Sequence, residues 1–342
     1  MGATTAAAES TSAAVSIADL IADKGYVVAD GAMGTRLFAM GLSSGDSPEE
    51  WNVSHEAEVR AVHRSYLAAG ADLVVTNSFG GTHFRMALHR LEDRVCELNG
   101  AAARIARLEA DAESERAGRP VLVAGSMGPT GELLAPLGNM TAGECEAAFA
   151  VQATALAAGG ADLLWIETMS ALDEVEAAVR GARSACDLPV AATMSFDTAG
   201  CTMMGVTGNE LAERLAQLDL AAIGANCGNN VPDTESAVVA IAGADHATPV
   251  VSKPNAGVPV WSGHGFVYNG TPEMLAAHAH RALLAGVTVI GTCCGSTAEH
   301  TAKIVAVLSG DEPPPEVEPT PDPGTVIENR LARRRHRRRR SA

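Results

Sequence analysis

Cys227 and the adjacent pair Cys293-Cys294 are the residues whose types and setting point most directly to chemistry. They close two short apolar runs, Ala221 to Cys227 and Val287 to Cys294, and a glycine follows each. Three thiolates suit zinc, which favours tetrahedral coordination with sulfur about 2.3 Å away, and three protein ligands leave a fourth position for substrate. A centre of that composition carries one net negative charge, so it can deprotonate an incoming thiol while leaving its sulfur nucleophilic. Alkyl transfer to sulfur follows more naturally than water activation, which usually employs His and carboxylate ligands. Two facts weigh against the metal reading. Free Cys commonly serves as a small buried hydrophobe, and adjacent residues on a strand point to opposite faces, so a bend at Gly295 would be needed to turn both thiols inward. Cys96, Cys145, Cys186 and Cys201 have no partner at ligand spacing and read as buried cysteines.

The elements that must position these thiols repeat along the chain. Eight apolar, β-branched runs are each followed by polar or Gly-containing residues and a helical pattern: Val27 to Gly31, Leu73 to Ser78, Val121 to Ser126, Leu163 to Thr168, Pro189 to Phe196, Ala221 to Cys227, Pro249 to Asn255 and Val287 to Cys294. Thr141 with Glu144 and Thr207 with Glu210 form capping-box patterns, and Thr271-Pro272-Glu273 opens a further helix. This α/β pattern predicts a (β/α)8 TIM barrel over residues 16–310, with a doubly wound open sheet as the alternative. Residues 1–15 read as a flexible N-terminal tail without the basic start and apolar run of a secretory signal. Residues 311–329 form a Pro-rich, acidic linker and residues 330–342 an Arg-rich tail without apolar periodicity, expected to be disordered.

Composition narrows the function classes. The 342 residues are 47% hydrophobic but only 4% aromatic, enough for a large core of small aliphatic side chains. The most apolar stretch, Ala153 to Ile166, is broken by Gly159, Gly160 and Asp162, which excludes a membrane span there. Seven unevenly spaced cysteines do not resemble a disulfide framework, so a reducing cytoplasm is expected. The formal charge is -16 despite the arginine tail, so the rest of the chain is more acidic still.

In a closed barrel the active site lies at the C-terminal ends of the strands. Those ends offer Asp30-Gly31, Thr76-Asn77, Gly125-Ser126, Glu167-Thr168, Ser195, Asn226-Cys227, Lys253 with Asn255, and Cys293-Cys294. The sixth and eighth strands of such a barrel flank only one neighbour, so their three thiols can converge. Asp30 could equally be a turn residue before Gly31, and Glu167 a charged strand end. Asn77, Asn226 and Asn255 could bind substrate or satisfy loop backbone, and a turn role is favoured for Asn255. The GxxGxxG of Gly125 to Gly131 reads as a pocket-lining turn, and His264, between glycines in a loop, is left out of the metal set.

Ala225-Asn226-Cys227-Gly228 and Gly291-Thr292-Cys293-Cys294-Gly295 resemble the zinc motifs of the homocysteine methyltransferase family. Asp30-Gly31-Ala32-Met33-Gly34-Thr35, Thr76-Asn77-Ser78-Phe79, Gly125-Ser126-Met127-Gly128-Pro129, Glu167-Thr168 and Lys253-Pro254-Asn255-Ala256-Gly257 follow the family's order over about residues 25 to 310. In detail, including Asp46, Trp51-Asn52-Val53 and the Arg-rich end, the chain is most similar to bacterial betaine-homocysteine methyltransferases, and cobalamin-dependent methionine synthases carry a related domain. The resemblance implies Zn2+ on Cys227, Cys293 and Cys294, and methyl transfer to homocysteine to give methionine. It also implies that Asp30 and Glu167 bind the substrate ammonium, with Gly31, Ser126 and Asn77 among the substrate contacts.

Glycine betaine is the favoured donor, and a corrinoid-borne methyl group or a sulfonium such as S-methylmethionine or dimethylsulfoniopropionate is the alternative. Quaternary ammonium groups are commonly held against aromatic faces. Vertebrate betaine-using members have aromatics where this chain has Gly80 and Thr168, so a cage would need Phe79, Trp51, Trp261, Phe266 or Tyr268. Self-association is left open. A nucleic-acid function through the arginine tail is the reading of another class, opposed by the acidic body and by the lack of an RNA-binding motif. Truncation before Arg330 should remove any salt-sensitive nucleic-acid retention and leave methyl transfer intact; retention by the truncated body would place that binding elsewhere.

Overall fold

In the computed structural model, which describes residues 15–316 apart from 198–199 and 262–265, the eight apolar runs form one parallel sheet rolled into a (β/α)8 TIM barrel. Its strands are β1 (Val27–Val28), β2 (Leu73–Val75), β3 (Leu122–Met127), β4 (Leu163–Met169), β5 (Val190–Met194), β6 (Ala222–Cys227), β7 (Val250–Pro254) and β10 (Val289–Ile290). A small antiparallel hairpin, β8 (Pro259–Trp261) and β9 (Phe266–Tyr268), follows β7 and was not expected from the sequence. The spatial order β1-β10-β7-β6-β5-β4-β3-β2 leaves β1 and β2 to meet, which they do through the parallel bridge Ala29↔Leu73. The arginine tail, most of the linker, the first 14 residues, and the side chains of Trp261, His264 and Phe266 lie outside the described residues.

Alternation along the strands divides the core into two layers, because successive side chains point to opposite faces. Val27, Ala29, Leu73, Val75, Leu122, Ala124, Leu163, Trp165, Ala191, Ala222, Val251 and Val289 fill the barrel interior, together with Ile17 and Leu20 of the helix Ile17–Lys24. Residues of the opposite phase, among them Val28, Leu164, Ile166, Ala192, Ile223 and Ile290, pack against the outer helices. Continuing the interior phase toward the strand ends leads to Ser126, Glu167, Thr193, Asn226 and Lys253. The fold therefore aims those side chains into the mouth without special loop geometry.

The helices begin where capping chemistry places them. Thr141 and Thr207 accept from the backbone of Glu144 and Glu210, whose carboxylates return the bond, and Thr271 accepts from Met274 N ahead of Pro272. Behind β7, Ser252 Oγ meets His278 Nε2 at 2.8 Å, and His278 Nδ1 meets Glu235 at 2.9 Å. Arg281 adds two bonds to the same carboxylate, joining the helices Val231–Ala242 and Pro272–Leu284 to the strand that carries Lys253.

Burial raises the Glu235 pKa, but the hydrogen bonds from Arg281 and His278 outweigh it and hold the carboxyl near 2, against an ordinary value of 4.5. A carboxylate depressed in the folded state stabilises above its unfolded pKa, and that contribution is lost as pH falls through the folded pKa. Because solvent screens this partly exposed pair, Glu235→Gln should cost only about 1 to 2 kcal/mol near neutrality. The gap from the parent should close as pH falls from about 4.5 toward about 2, as read by urea denaturation across that window; a gap independent of pH would contradict the ion-pair account.

Candidate metal centre

The β6 and β10 termini bring Cys227, Cys293 and Cys294 together, with their three sulfurs within 4.8 Å of one another. Backbone bends produce this convergence. Cys227 lies in the left-handed region at φ 64°, and Gly228 follows at 76°. The eighth barrel strand ends at Ile290, earlier than the expected Cys294, so Cys293 and Cys294 escape strand alternation and enter a turn through Gly295 at φ 80°. A side chain at 295 would collide with the Tyr268 ring, so both the turn and the packing require glycine there.

Asn255 joins the two cysteine turns. Its Nδ2 donates to Gly228 O at 2.5 Å, and its Oδ1 accepts from Cys294 N at 3.0 Å. Cys293 N donates to Pro254 O and Ala256 N to Cys294 O, so the end of β7 is the frame on which both turns hang. Hydrogen bonds from Cys293 and Cys294 pull the Cys227 thiol far below its ordinary pKa, and the same sharing pushes the other two up. Three sulfurs packed this closely repel one another as their protons leave. A divalent, thiophilic ion would relieve the crowding, and the soft donor set fits one.

Beside the thiols lies a buried charge cluster. Lys253 Nζ is 3.0 Å from Asp30 Oδ1, with the two side chains 4% and 2% exposed, and sits 5.4 Å from the centre of the Trp165 ring. Burial disfavours the Lys253 charge, yet Asp30, Glu167 and Cys293 together raise its pKa above that of a free lysine. Asp30 Oδ2 accepts from Val75 N at 2.8 Å. Glu167 accepts from Ser126 Oγ, and Asn226 Nδ2 approaches its other oxygen at 3.4 Å. Burial lifts the Glu167 pKa to about 7, against the pull of Lys253 and with the push of Cys293.

Gly31 packs so closely that a Cβ would run into Ser296 Oγ, Thr292 Oγ1 and the Tyr66 ring. Asn77 donates to Pro48 O at 2.7 Å and to Asn52 Oδ1 at 3.0 Å. It fastens the 48–52 turn to the end of β2. The sequence motifs do not single out Lys253, although counting by twos from Val251 points it inward.

Several expectations are corrected. Of the four cysteines read as buried, only Cys145 is; Cys96 is exposed, and Cys186 and Cys201 are half-buried. Trp51 is 8% exposed, packs with Leu37, Val59 and Tyr66, and stacks on His55 at 4.2 Å, so it is a packing residue of the first loop. At position 80, Glu49 occupies the space a side chain would need: its Oε1 accepts from Gly80 N at 2.7 Å and would lie 2.9 Å from a Cβ. Phe79 is 36% exposed and would meet any side chain at Gly128, and the Tyr268 ring packs against Gly295, beside Cys294.

A family model described as homocysteine S-methyltransferase matches residues 27–308. Methionine synthase of Mycobacterium tuberculosis is 32% identical over 302 residues, and that of Mycobacterium leprae 31% over 297. These alignments cover 84% and 83% of this chain but only 25% and 24% of the relatives, so the chain spans about a quarter of their length. Among solved structures, the metallated form of the Escherichia coli homocysteine methyltransferase MmuM superposes with a TM-score of 0.72 at 27% identity, covering 84% of this chain and 98% of that one. Its oxidized form gives 0.71 at 27%, covering 84% and 97%. Among the described residues no helix is long and apolar enough to cross a membrane.

Cys227→Ala should lose stoichiometric metal as measured by elemental analysis. Asn255→Ala, which frees both turns, should weaken metal binding by about 10- to 100-fold in a chelator competition. Unchanged metal content in Cys227→Ala would remove that thiol from the ligand set.

Proposed function

The chain belongs to the homocysteine S-methyltransferase family, and from that premise we propose that it methylates the thiol of homocysteine to give methionine, with Zn2+ on Cys227, Cys293 and Cys294 and glycine betaine as donor. The observation that carries this reading is three converged thiols beside a buried carboxylate, Glu167, within one barrel mouth. Zinc held by these three thiolates would supply acidity to the acceptor thiol and leave its sulfur electron-rich.

The chain's own residues supply the rest. Glu167 takes the homocysteine ammonium, oriented by Ser126, and ion pairing with the substrate offsets the burial that raises its pKa. Asp30 is the second carboxylate, with Oδ1 shared with Lys253. Lys253 keeps the cluster of carboxylates and thiols from repelling itself. Gly31 permits the close backbone packing under the amino acid, and Asn77 holds the first loop over it. The thiol proton passes to solvent, the sulfur lone pair forms the S–CH3 bond, and the N–CH3 bond of betaine breaks with its electron pair returning to nitrogen, leaving dimethylglycine. Orientation and exclusion of water are the protein's contribution to this in-line displacement.

One observation favours a second donor class. Gly80 lies against Glu49 and Thr168 is engaged by Asn226, so neither position presents an aromatic face to a quaternary ammonium. The similarity to a quarter of each methionine synthase supports, as the alternative, a methyl group delivered on a corrinoid carried by another domain; a sulfonium donor is equally compatible with the thiol cluster.

Zinc-replete protein incubated with homocysteine and, separately, glycine betaine, dimethylsulfoniopropionate, S-methylmethionine or methylcobalamin should yield methionine by mass from betaine. Product only from another donor would keep the acceptor chemistry and reassign the donor, and full activity after complete metal removal would sink the zinc reading.

A further inference from the structure

We propose that Asn226 is a positioning residue that holds the end of β4 in the bulged shape from which Glu167 meets the amino group of the acceptor; the inference rests on the functional reading above. The β4–β5 pairing shifts register between Ile166 and Met169, across Glu167 and Thr168. Thr168 sits at φ 61°, a left-handed conformation that is unfavourable for a β-branched residue and persists only where its surroundings enforce it. Bulges recur beside active sites, and this one lies at Glu167, whose inward direction alternation sets and the shape of the bulge holds in place.

One carboxamide does the enforcing. Asn226 is fully buried in the interior phase of β6, two strands away from β4. Its Oδ1 accepts from Thr168 N at 2.8 Å, while its Nδ2 donates to Thr168 Oγ1 at 2.7 Å, so both the backbone and the side chain of the strained residue are gripped. The same Nδ2 lies 3.4 Å from Glu167 Oε2 and 3.9 Å from Cys293 Sγ. The clamp is itself fixed from β5, where Thr193 Oγ1 donates to Asn226 Oδ1 at 2.7 Å and accepts from Trp165 Nε1 at 3.2 Å. The amide thus spans the gap between the carboxylate read here as the ammonium partner and the cysteine turn read as the thiol-binding end. A buried amide serving only the fold would not need to hold the bulge at Glu167.

The distinguishing property is selectivity for the amino group. Loss of the clamp should harm an acceptor that uses Glu167 and spare one that does not. The test uses the full chain loaded with Co2+, whose thiolate charge-transfer bands report binding of a further thiol, titrated with homocysteine and with 4-mercaptobutanoate, the same thiol without the ammonium. Wild type should prefer homocysteine. Asn226→Ala should retain stoichiometric cobalt, bind homocysteine about 10- to 100-fold more weakly, and bind 4-mercaptobutanoate as wild type does. Asn226→Leu, of similar size but without the amide, serves if the alanine variant does not fold, and the same loss of preference is expected because neither the Thr168 backbone nor its hydroxyl is then gripped. Equal weakening for both thiols, unchanged affinity for both, or loss of cobalt from a folded variant would overturn the proposal. Failure of wild type to bind homocysteine would instead bring down the functional reading on which it rests.

Discussion

The mouth of this barrel depends on one buried ammonium. Asp30, Glu167 and three thiols converge at the strand ends, and concentrating so much potential negative charge away from water is costly unless a cation shares the space. Lys253 is that cation, 3% exposed, paired with Asp30 and lying against Trp165. A divalent ion on the thiols would be the second. The two positive charges would divide the site into an end for an amino acid and an end for a thiol, the two functional groups homocysteine carries.

Precision at this site comes from departures from regular geometry set in a regular frame. The barrel supplies the directions: a period of two aims Ser126, Glu167, Asn226 and Lys253 inward. The chemistry is then completed where the period breaks, at Thr168, Cys227 and Gly295, whose left-handed backbone turns side chains that alternation would have sent elsewhere. Each break is supported by an amide. Asn226 grips Thr168, and Asn255 ties the Cys227 turn to the Cys293-Cys294 turn. Backbone strain is thereby kept at the positions where it orients reactive groups.

The aromatic side chains near the mouth are built differently from its charged cluster. Trp51 is absorbed into packing with Leu37, Val59 and Tyr66, and Gly80 is closed over by Glu49. Of the five aromatics a cage could draw on, Phe79, 36% exposed, and Tyr268, near Cys294, are the described side chains that remain. The charged cluster thus rests on buried ion pairs, whereas few aromatic surfaces face the strand ends.

The sequence by itself determined the eight-fold alternation of strand and helix, the capped helix starts at Thr141, Thr207 and Thr271, and the three cysteines at strand ends, because periodicity, capping and metal-ligand chemistry are local patterns. It also placed Glu167 and Ser126 at the mouth. Only the tertiary structure decided that Lys253 neutralises Asp30, that Asn77 faces the first loop, that Trp51 is buried, and that three of the four remaining cysteines are not. Those outcomes depend on which side chains from distant segments share a volume, such as Lys253 and Asp30, 223 residues apart. No window of sequence contains that contact, and its energy exists only after the barrel has closed and excluded water from the pair.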